Sequence, residues 1–188
     1  SYGDIAVDME GRLEIISNSV DTLCIGGGYN EDDSEIDLRS GQIRIHMHSH
    51  NGLAIGSFNG DALIDISDKC KLELTVSGIK VTGIGSCKGI ATISSSADIA
   101  ISCTGAQAVA IGSLEDGEGS IYIKSGKLMM KMRSAKNSAI GAIKGNMNTR
   151  VENADISIDS EGDEITGIGD ALGTGNVAII DSAVTMKI

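Results

Sequence analysis

An Ile-Gly pair returns at nearly constant spacing along most of the chain, and this repeat limits the possible folds more than any other feature. The pairs begin at Ile25, Ile55, Ile84, Ile111, Ile140 and Ile168, which are 27 to 30 residues apart. A unit of that length is too short to bury a core of its own. Each unit must therefore pack its apolar face against its neighbours in the stack.

Two short apolar-x-apolar segments recur within each unit, such as Ile36-x-Leu38 and Ile43-x-Ile45. Alternation with period two is typical of strands that bury one face. The Ile-Gly neighbourhood supplies a third strand, and Gly or Ser interrupts each segment before helical spacing develops. The sequence predicts an all-β fold: a right-handed parallel β-helix (β-solenoid) of about seven coils of 27–30 residues, with three short strands per coil.

Aligning the units predicts which residues lie above one another, for example Ile36 next to Ile64. Two aligned columns contain only small residues. The first column is Gly11, Gly41, Cys70, Ala97, Gly126, Ala154 and Ser182, and the second is Cys24, Ala54, Gly83, Ala110, Ala139 and Gly167. We expect tight corners or close-packed layers at both columns.

Length and charge narrow the classes of partner. A chain of 188 residues fits a single β-solenoid domain, 1–188, which we expect to be a fragment of a larger protein. The formal charge of -11 repels phosphate backbones and anionic lipids, so no nucleic acid is expected to bind. No apolar run approaches the roughly 20 residues of a membrane span, which argues against membrane insertion.

The four cysteines are expected to be free thiols that fill small apolar positions. Cys24 and Cys70 stand in the small-residue columns, and Cys103 shares an inward column with Met47 and Val76. No two cysteines share a column on adjacent coils, so disulfide geometry would be strained. Only Cys87 is expected to be exposed.

Carboxylates on neighbouring coils form the first candidate site. Asp33, Glu35 and Asp37 alternate outward, and the register places Asp61 next to Asp33 and Asp65 next to Asp37. Asp4 is expected beside Glu35, and Lys88 beside Asp61. Such a group either binds a hard cation, for which calcium is the candidate, or forms a solvated acidic face.

The second candidate site is a strand that carries all three histidines. His46, His48 and His50 alternate outward around Met47. Two histidines at i and i+2 can share a transition metal such as zinc. The alternative is a set of exposed, partly charged histidines, because the neighbouring coils offer Thr75 and Ser77 and no clear carboxylate ligand.

The motifs Ile25-Gly26-Gly27-Gly28-Tyr29 and Ile55-Gly56-Ser57 resemble degenerate Ile-Gly-Gly-Gly repeats in β-solenoid regions of Firmicutes surface proteins and modular regulators. The resemblance implies a binding or spacer module. Pectate lyases and calcium-dependent solenoids that bind polygalacturonate or cellulose share the general architecture, and these relatives imply calcium held by Asp33, Asp37, Asp61 and Asp65. A lyase also needs a basic residue beside the acids, and Arg150 lies in their column but about 14 Å beyond Asp65.

Three classes of function remain open. The first is a non-catalytic binding, adhesion or spacer module at the bacterial cell surface, with calcium-assisted carbohydrate binding to an acidic or neutral polysaccharide, or with another protein as partner. The second is a sensory or oligomerisation domain of a cytoplasmic transcriptional regulator, which the free cysteines favour. The third is a polysaccharide lyase.

Overall fold

The computed structural model describes residues 3–27, 33–115 and 117–188, and within these ranges it contains strands and no helix. Gly28 and Tyr29 of the first Ile-Gly-Gly-Gly motif lie outside the described residues. No helix in the described ranges could span a membrane. The strands are β1 (Gly3–Val7), β2 (Arg12–Asn18), β3 (Asp21–Gly27), β4 (Ser34–Leu38), β5 (Gly41–Ser57), β6 (Ala62–Ile66), β7 (Cys70–Ser86), β8 (Ile90–Ser95), β9 (Asp98–Ser113), β10 (Gly117–Ile123), β11 (Gly126–Glu152), β12 (Ala154–Glu161), β13 (Glu164–Leu172), β14 (Val177–Ile180) and β15 (Ala183–Lys187).

These strands stack as a β-solenoid in which the paired strands are parallel. The first sheet contains β1, β4, β6, β8, β10, the end of β11, and β14. The second sheet contains β2, β12, β15 and the first halves of β5, β7, β9 and β11. The third contains β3, β13 and later parts of those same long strands. The predicted register is confirmed, since Ile36 pairs with Ile64.

The solenoid has about six full turns, slightly fewer than the seven predicted. The first and second sheets each have seven layers, but only six segments carry the Ile-Gly pair of the third sheet. The second and third strands of the interior coils also differ from the prediction. They form one continuous strand in β5, β7 and β9, because the chain bends at the corner without losing its pairing.

Aliphatic columns fill the interior. Ile36, Ile64, Ile93 and Ile121 form one column, and each has at most 1% of its surface exposed. The predicted inward column that contains Met47, Val76 and Cys103 is also buried. Each side chain therefore packs on its counterparts one coil before and one coil after.

Glycines at the corner after each Ile bring neighbouring coils into direct backbone contact. A Cβ atom on Gly26 would lie 1.7 Å from the carbonyl oxygen of Gly56, and one on Gly141 would lie 2.0 Å from that of Gly169. The backbone there has a φ of +146° at Gly26 and +132° at Gly141. Steric exclusion and positive φ together require glycine, which explains why the Ile-Gly pair is the clearest repeat in the sequence.

Candidate functional site

The acidic residues of the first sheet occupy the predicted positions. Asp4 pairs with Glu35, and Asp37 pairs with Asp65, as the repeat register predicted. Asp33 and Asp61 lie where the chain enters this sheet and are adjacent, since the Asp33 carboxylate accepts a hydrogen bond from the Asp61 N–H at 2.9 Å. The structure therefore brings these residues together in neighbouring pairs along one face.

The Asp33–Asp61 and Asp37–Asp65 pairs already have hydrogen-bond or charge partners. The Asp61 carboxylate accepts a hydrogen bond from the Ile90 N–H at 2.9 Å, so Ile90 takes the position that was predicted for Lys88. Asp37 accepts a hydrogen bond from Arg39 Nε at 2.6 Å. Within the described ranges, no three His, Cys, Asp or Glu side chains gather closely enough to hold a metal ion.

A basic residue beside the acids was missed by the sequence analysis. Lys124 Nζ lies 3.8 Å from Asp65 Oδ1, although Lys124 belongs to a different column two coils away. Column alignment ignores the reach of a long side chain, so no pattern in the sequence indicates this contact. Arg150 lies in the column of Asp65 three coils beyond it, as predicted.

Lys124 and Arg150 flank the ring of Tyr122. The Lys124 ammonium lies 5.7 Å and the Arg150 guanidinium 5.8 Å from the ring centroid, which is within cation–π range. The Tyr122 hydroxyl donates a hydrogen bond to Glu152, and Arg150 Nε donates another at 2.7 Å. These two bonds hold the pKa of Glu152 below its ordinary value, and the same bond to Glu152 raises the pKa of Tyr122.

The histidines point outward from β5, as predicted. His46 is half-buried, and His48 and His50 are exposed. His48 Nδ1 lies 2.9 Å from the hydroxyl oxygen of Ser77, its register partner on the next coil. Within the described ranges, no third His, Cys, Asp or Glu side chain joins His46 and His48 closely enough to hold a metal ion with them.

All four cysteines are free thiols. Cys70 and Cys103 are buried, while Cys24 and Cys87 are half-buried, so exposure is not limited to Cys87 as predicted. Cys24 differs because its strand β3 pairs only with β5 in the part of the chain that the structure describes. Burial raises the pKa of Cys103 to about 12, and that of Cys87 to about 12, which leaves both thiols protonated at neutral pH.

A line of hollows crosses the outer face of the second sheet, and we call it the furrow. One hollow of about 770 Å³ includes Arg12 and Lys71, and a second of about 330 Å³ includes Met129 and Asp159. Two smaller hollows connect them, because they share Lys71 with the first hollow and Glu73 or Met129 with the second. The furrow therefore runs along the solenoid axis from the coil of β2 to that of β12.

The charge balance of the furrow differs from that of the whole chain. Six of the 15 Lys and Arg residues line it, namely Arg12, Arg44, Lys69, Lys71, Lys127 and Lys131. Only five of the 26 acidic residues do so, namely Glu10, Asp68, Glu73, Asp98 and Asp159. Lys71, Lys127 and Lys131 form no ion pair within 4.0 Å among the described residues.

Small side chains line the middle of the furrow. Ala100 and Ser102 on β9 and Ser157 on β12 form part of its lining, between longer neighbours. The side chain of Met129 stands among them and is 48% exposed. One outward column can be read from the sequence as Arg44, Glu73, Ala100, Met129 and Ser157. Its change from long side chains to the short Ala100 and Ser157 was the sequence signal that could have indicated the furrow.

The stacked parallel coils and open faces define the chain as a β-solenoid. Comparisons with protein-family models, with curated proteins and with solved structures found no match to it.

Proposed function

We propose that this chain is a non-catalytic binding module that holds an extended, neutral or acidic polysaccharide along the furrow. The observation that carries the proposal is the continuous line of hollows parallel to the solenoid axis. It crosses five coil spacings from Arg12 to Asp159, or about 24 Å at roughly 4.8 Å per coil. A shallow, elongated surface of this kind suits a polymer better than a compact small molecule.

The charges of the furrow favour a neutral or acidic ligand. A polyanion approaching the chain meets an overall charge of -11, but in the furrow it meets more cations than acids. Lys71, Lys127 and Lys131 can each take a ligand carboxylate without first breaking an ion pair among the described residues. Surface ion pairs of this type contribute about 0.2–1 kcal/mol each, so several are needed for useful affinity.

The mixture of apolar and hydroxyl groups favours a sugar polymer. A pyranose ring has a C–H face, which can pack on the exposed Met129 side chain, and hydroxyl groups, which can bond with Ser102 and Ser157. The resemblance of the Ile-Gly repeats to those of Firmicutes solenoids supports a place at the bacterial cell surface as part of the same proposal. Binding at the furrow does not require calcium, because Asp37 and Asp65 lie on the first sheet.

The decisive experiment is affinity electrophoresis or calorimetry with polygalacturonate and with a neutral polysaccharide such as a soluble glucan. We expect the double variant Lys71→Ala, Lys127→Ala to weaken binding of the acidic polymer about tenfold, which corresponds to about 1.4 kcal/mol for two contacts. The matched control is Lys88→Ala, Lys136→Ala, which removes the same charge outside the furrow.

Equal losses in the two double variants would contradict the furrow as the binding site. Absence of binding to both polymers would contradict the polysaccharide proposal itself. An increase in absorbance from newly formed double bonds during incubation would identify the chain as a lyase instead.

A further inference from the structure

The charges along the furrow change sign from one coil to the next. In one outward column, Lys71 pairs with Asp98, Asp98 lies next to Lys127, and Lys127 pairs with Asp155. The two lysines are therefore two coils apart, or roughly 9.6 Å along the solenoid axis. An acid stands on the coil between them and another on the coil after them.

A second outward column alternates in the same phase. Lys131 pairs with Asp159, and Asp159 pairs with Lys187. Lys131 belongs to the same strand as Lys127, and Asp159 to the same strand as Asp155. In these two columns the cations therefore lie on β7, β11 and β15, and the acids lie on β9 and β12 between them. The outer face thus has a charge repeat of two coils.

The acids of this repeat do not neutralise its lysines. Asp98 Oδ1 accepts a hydrogen bond from the backbone N–H of Lys127 at 2.9 Å, and Asp159 Oδ2 accepts one from Arg133 Nη2 at 2.8 Å. Neither Lys71 nor Lys127 has an ion-pair partner within 4.0 Å among the described residues. The ammonium groups are therefore available to a ligand, while the carboxylates are held on the coils between them.

The surface between the two lysines is hollow. A hollow of about 160 Å³ includes Lys71, Asp98, Ala100 and Lys127, so it extends across both coil spacings between the cations. Ala100 also lines the adjoining hollow of about 330 Å³, together with the hydroxyl-bearing Ser102. A sugar ring over β9 therefore meets a carboxylate, a short apolar side chain and a hydroxyl group, and it meets no cation of that strand. These groups suit an uncharged sugar, whose hydroxyls can donate hydrogen bonds to them.

We propose that the furrow binds an acidic polysaccharide with a two-sugar repeat, in which an acidic sugar alternates with an uncharged one. An extended chain of equatorially linked pyranose rings advances by about one coil spacing per sugar, so sugars and coils stay in step along the axis. Acidic sugars then lie over the coils of Lys71 and Lys127, and the uncharged sugar between them lies over the coil of Asp98. This inference rests on the proposed function, because it identifies the ligand of the same furrow.

Polymers with other charge spacings fit this surface less well. A polymer with an acid on every sugar places every second carboxylate over the coil of Asp98 or of Asp159, where like charges repel. A neutral polymer avoids this repulsion but forms no ionic contact with Lys71 or Lys127. The furrow therefore distinguishes polymers by the spacing of their charges and not by their total charge alone.

The test is calorimetric titration of the 188-residue chain with polymers of equal length at one salt concentration. Hyaluronan alternates glucuronate with uncharged N-acetylglucosamine, β-1,4-linked polyglucuronate has an acid on every sugar, and a soluble glucan has none. We expect hyaluronan to bind about fivefold tighter than either of the others, which corresponds to one or two surface charge contacts.

A pair of variants separates charge spacing from net charge. Asp98→Asn keeps an acceptor for the Lys127 N–H and removes the negative charge from β9. It should tighten polyglucuronate binding about threefold and leave hyaluronan binding nearly unchanged. The matched control Glu118→Gln removes one negative charge from an exposed position on β10, outside the furrow, and should leave the ratio of the two affinities as it is in the parent.

The results also separate this inference from the proposed function. If polyglucuronate binds as tightly as hyaluronan, and both lose affinity in Lys71→Ala, Lys127→Ala, the alternating ligand is refuted while the furrow remains the binding site. Glucan that binds as tightly as hyaluronan refutes the alternating ligand and leaves the polysaccharide proposal standing. Equal effects of Asp98→Asn and Glu118→Gln on the affinity ratio also refute the alternating ligand. Absence of binding to all of these polymers refutes the inference and the proposed function together.

Discussion

The Asp33 carboxylate and the Asp61 backbone N–H are joined by a hydrogen bond of 2.9 Å between consecutive coils. Asp61 repeats the contact with the Ile90 N–H, also at 2.9 Å. Charged acceptors thus connect the coils of β4, β6 and β8 at the entry to the first sheet. Two of the side chains that the sequence indicated as calcium ligands, Asp33 and Asp61, therefore have a structural role at this corner.

We expect Asp61→Ala to lower the free energy of unfolding by about 1–2 kcal/mol, because the Ile90 N–H loses its acceptor. Asp61→Asn should retain most of the stability, since an amide oxygen can accept the same bond. Urea denaturation followed by circular dichroism measures both changes. Asp155→Ala removes an exposed carboxylate of β12 and serves as the control. An equally large loss of stability in Asp155→Ala would mean that the change in net charge, and not the lost hydrogen bond, destabilises Asp61→Ala.

Ile93→Asp should prevent folding or lower the melting temperature severely. Ile93 is 1% exposed in the central column, and burying an unpaired carboxylate costs several kcal/mol against a typical stability of about 5–15 kcal/mol. Leu63→Asp introduces the same charge on the neighbouring strand β6 at an exposed position and should melt close to the parent. Thermal melts of both variants, followed in the far ultraviolet, decide the question. A parental melt for Ile93→Asp would contradict the assignment of the core.

Calcium binding by the carboxylates of the first sheet stays a prediction. The cationic partners of these carboxylates limit how much calcium can raise the free energy of unfolding. Arg39 bonds to Asp37, and Lys124 lies 3.8 Å from Asp65, so calcium must compete with both cations. We expect millimolar calcium to add less than about 0.4 kcal/mol, or under about 2 °C in melting temperature, with magnesium adding less. A rise of several degrees that is lost in Asp37→Asn, Asp65→Asn would instead establish a calcium site.

Zinc should bind weakly to the histidine strand. His46 and His48 supply two ligands, but no described acidic or cysteine side chain completes a coordination group around them. Calorimetric titration should therefore reveal no stoichiometric submicromolar site. Such a site in the parent chain, absent from His46→Ala, His48→Ala, would prove this expectation wrong.

Acid should weaken the cluster around Tyr122. Hydrogen bonds from Tyr122 and Arg150 lower the pKa of Glu152 from its ordinary value of 4.5, so the ionised carboxylate stabilises the folded state. That contribution is complete above pH 4.5 and is lost as the pH falls through the folded-state pKa. Melting temperatures measured between pH 7 and pH 3 should fall less steeply below 4.5 in Glu152→Gln than in the parent. Glu118→Gln, an exposed substitution on β10, should follow the parent curve.

The columns of the solenoid were predictable because the alternation of apolar residues and the Ile-Gly spacing are both local properties of the sequence. The pairing of Ile36 with Ile64 and of Asp37 with Asp65 follows directly from that spacing. The number of turns was overestimated because the prediction counted segments of the first and second sheets, which exceed those of the third by one.

The features of the side-chain surface were harder to predict. The approach of Lys124 to Asp65 depends on a side chain that crosses two coils diagonally. The furrow depends on relative side-chain sizes on adjoining coils, such as the short Ala100 beside the long Met129 in one column. Neither the reach of a side chain nor a difference in side-chain size is visible in the periodic pattern of the sequence. The sequence therefore predicts the β-solenoid backbone more completely than its side-chain surface.

The parallel pairing between coils also determines how the molecule responds to mechanical force. Its inter-strand hydrogen bonds run along the solenoid axis, so tension between the two ends loads the few bonds of one outer coil before any others. The rod therefore unwinds coil by coil and does not shear as a whole. Each released coil of 27–30 residues adds roughly 100 Å of extended chain. An anchored molecule of this design lengthens in steps under load, while the coils that are still stacked keep their shape.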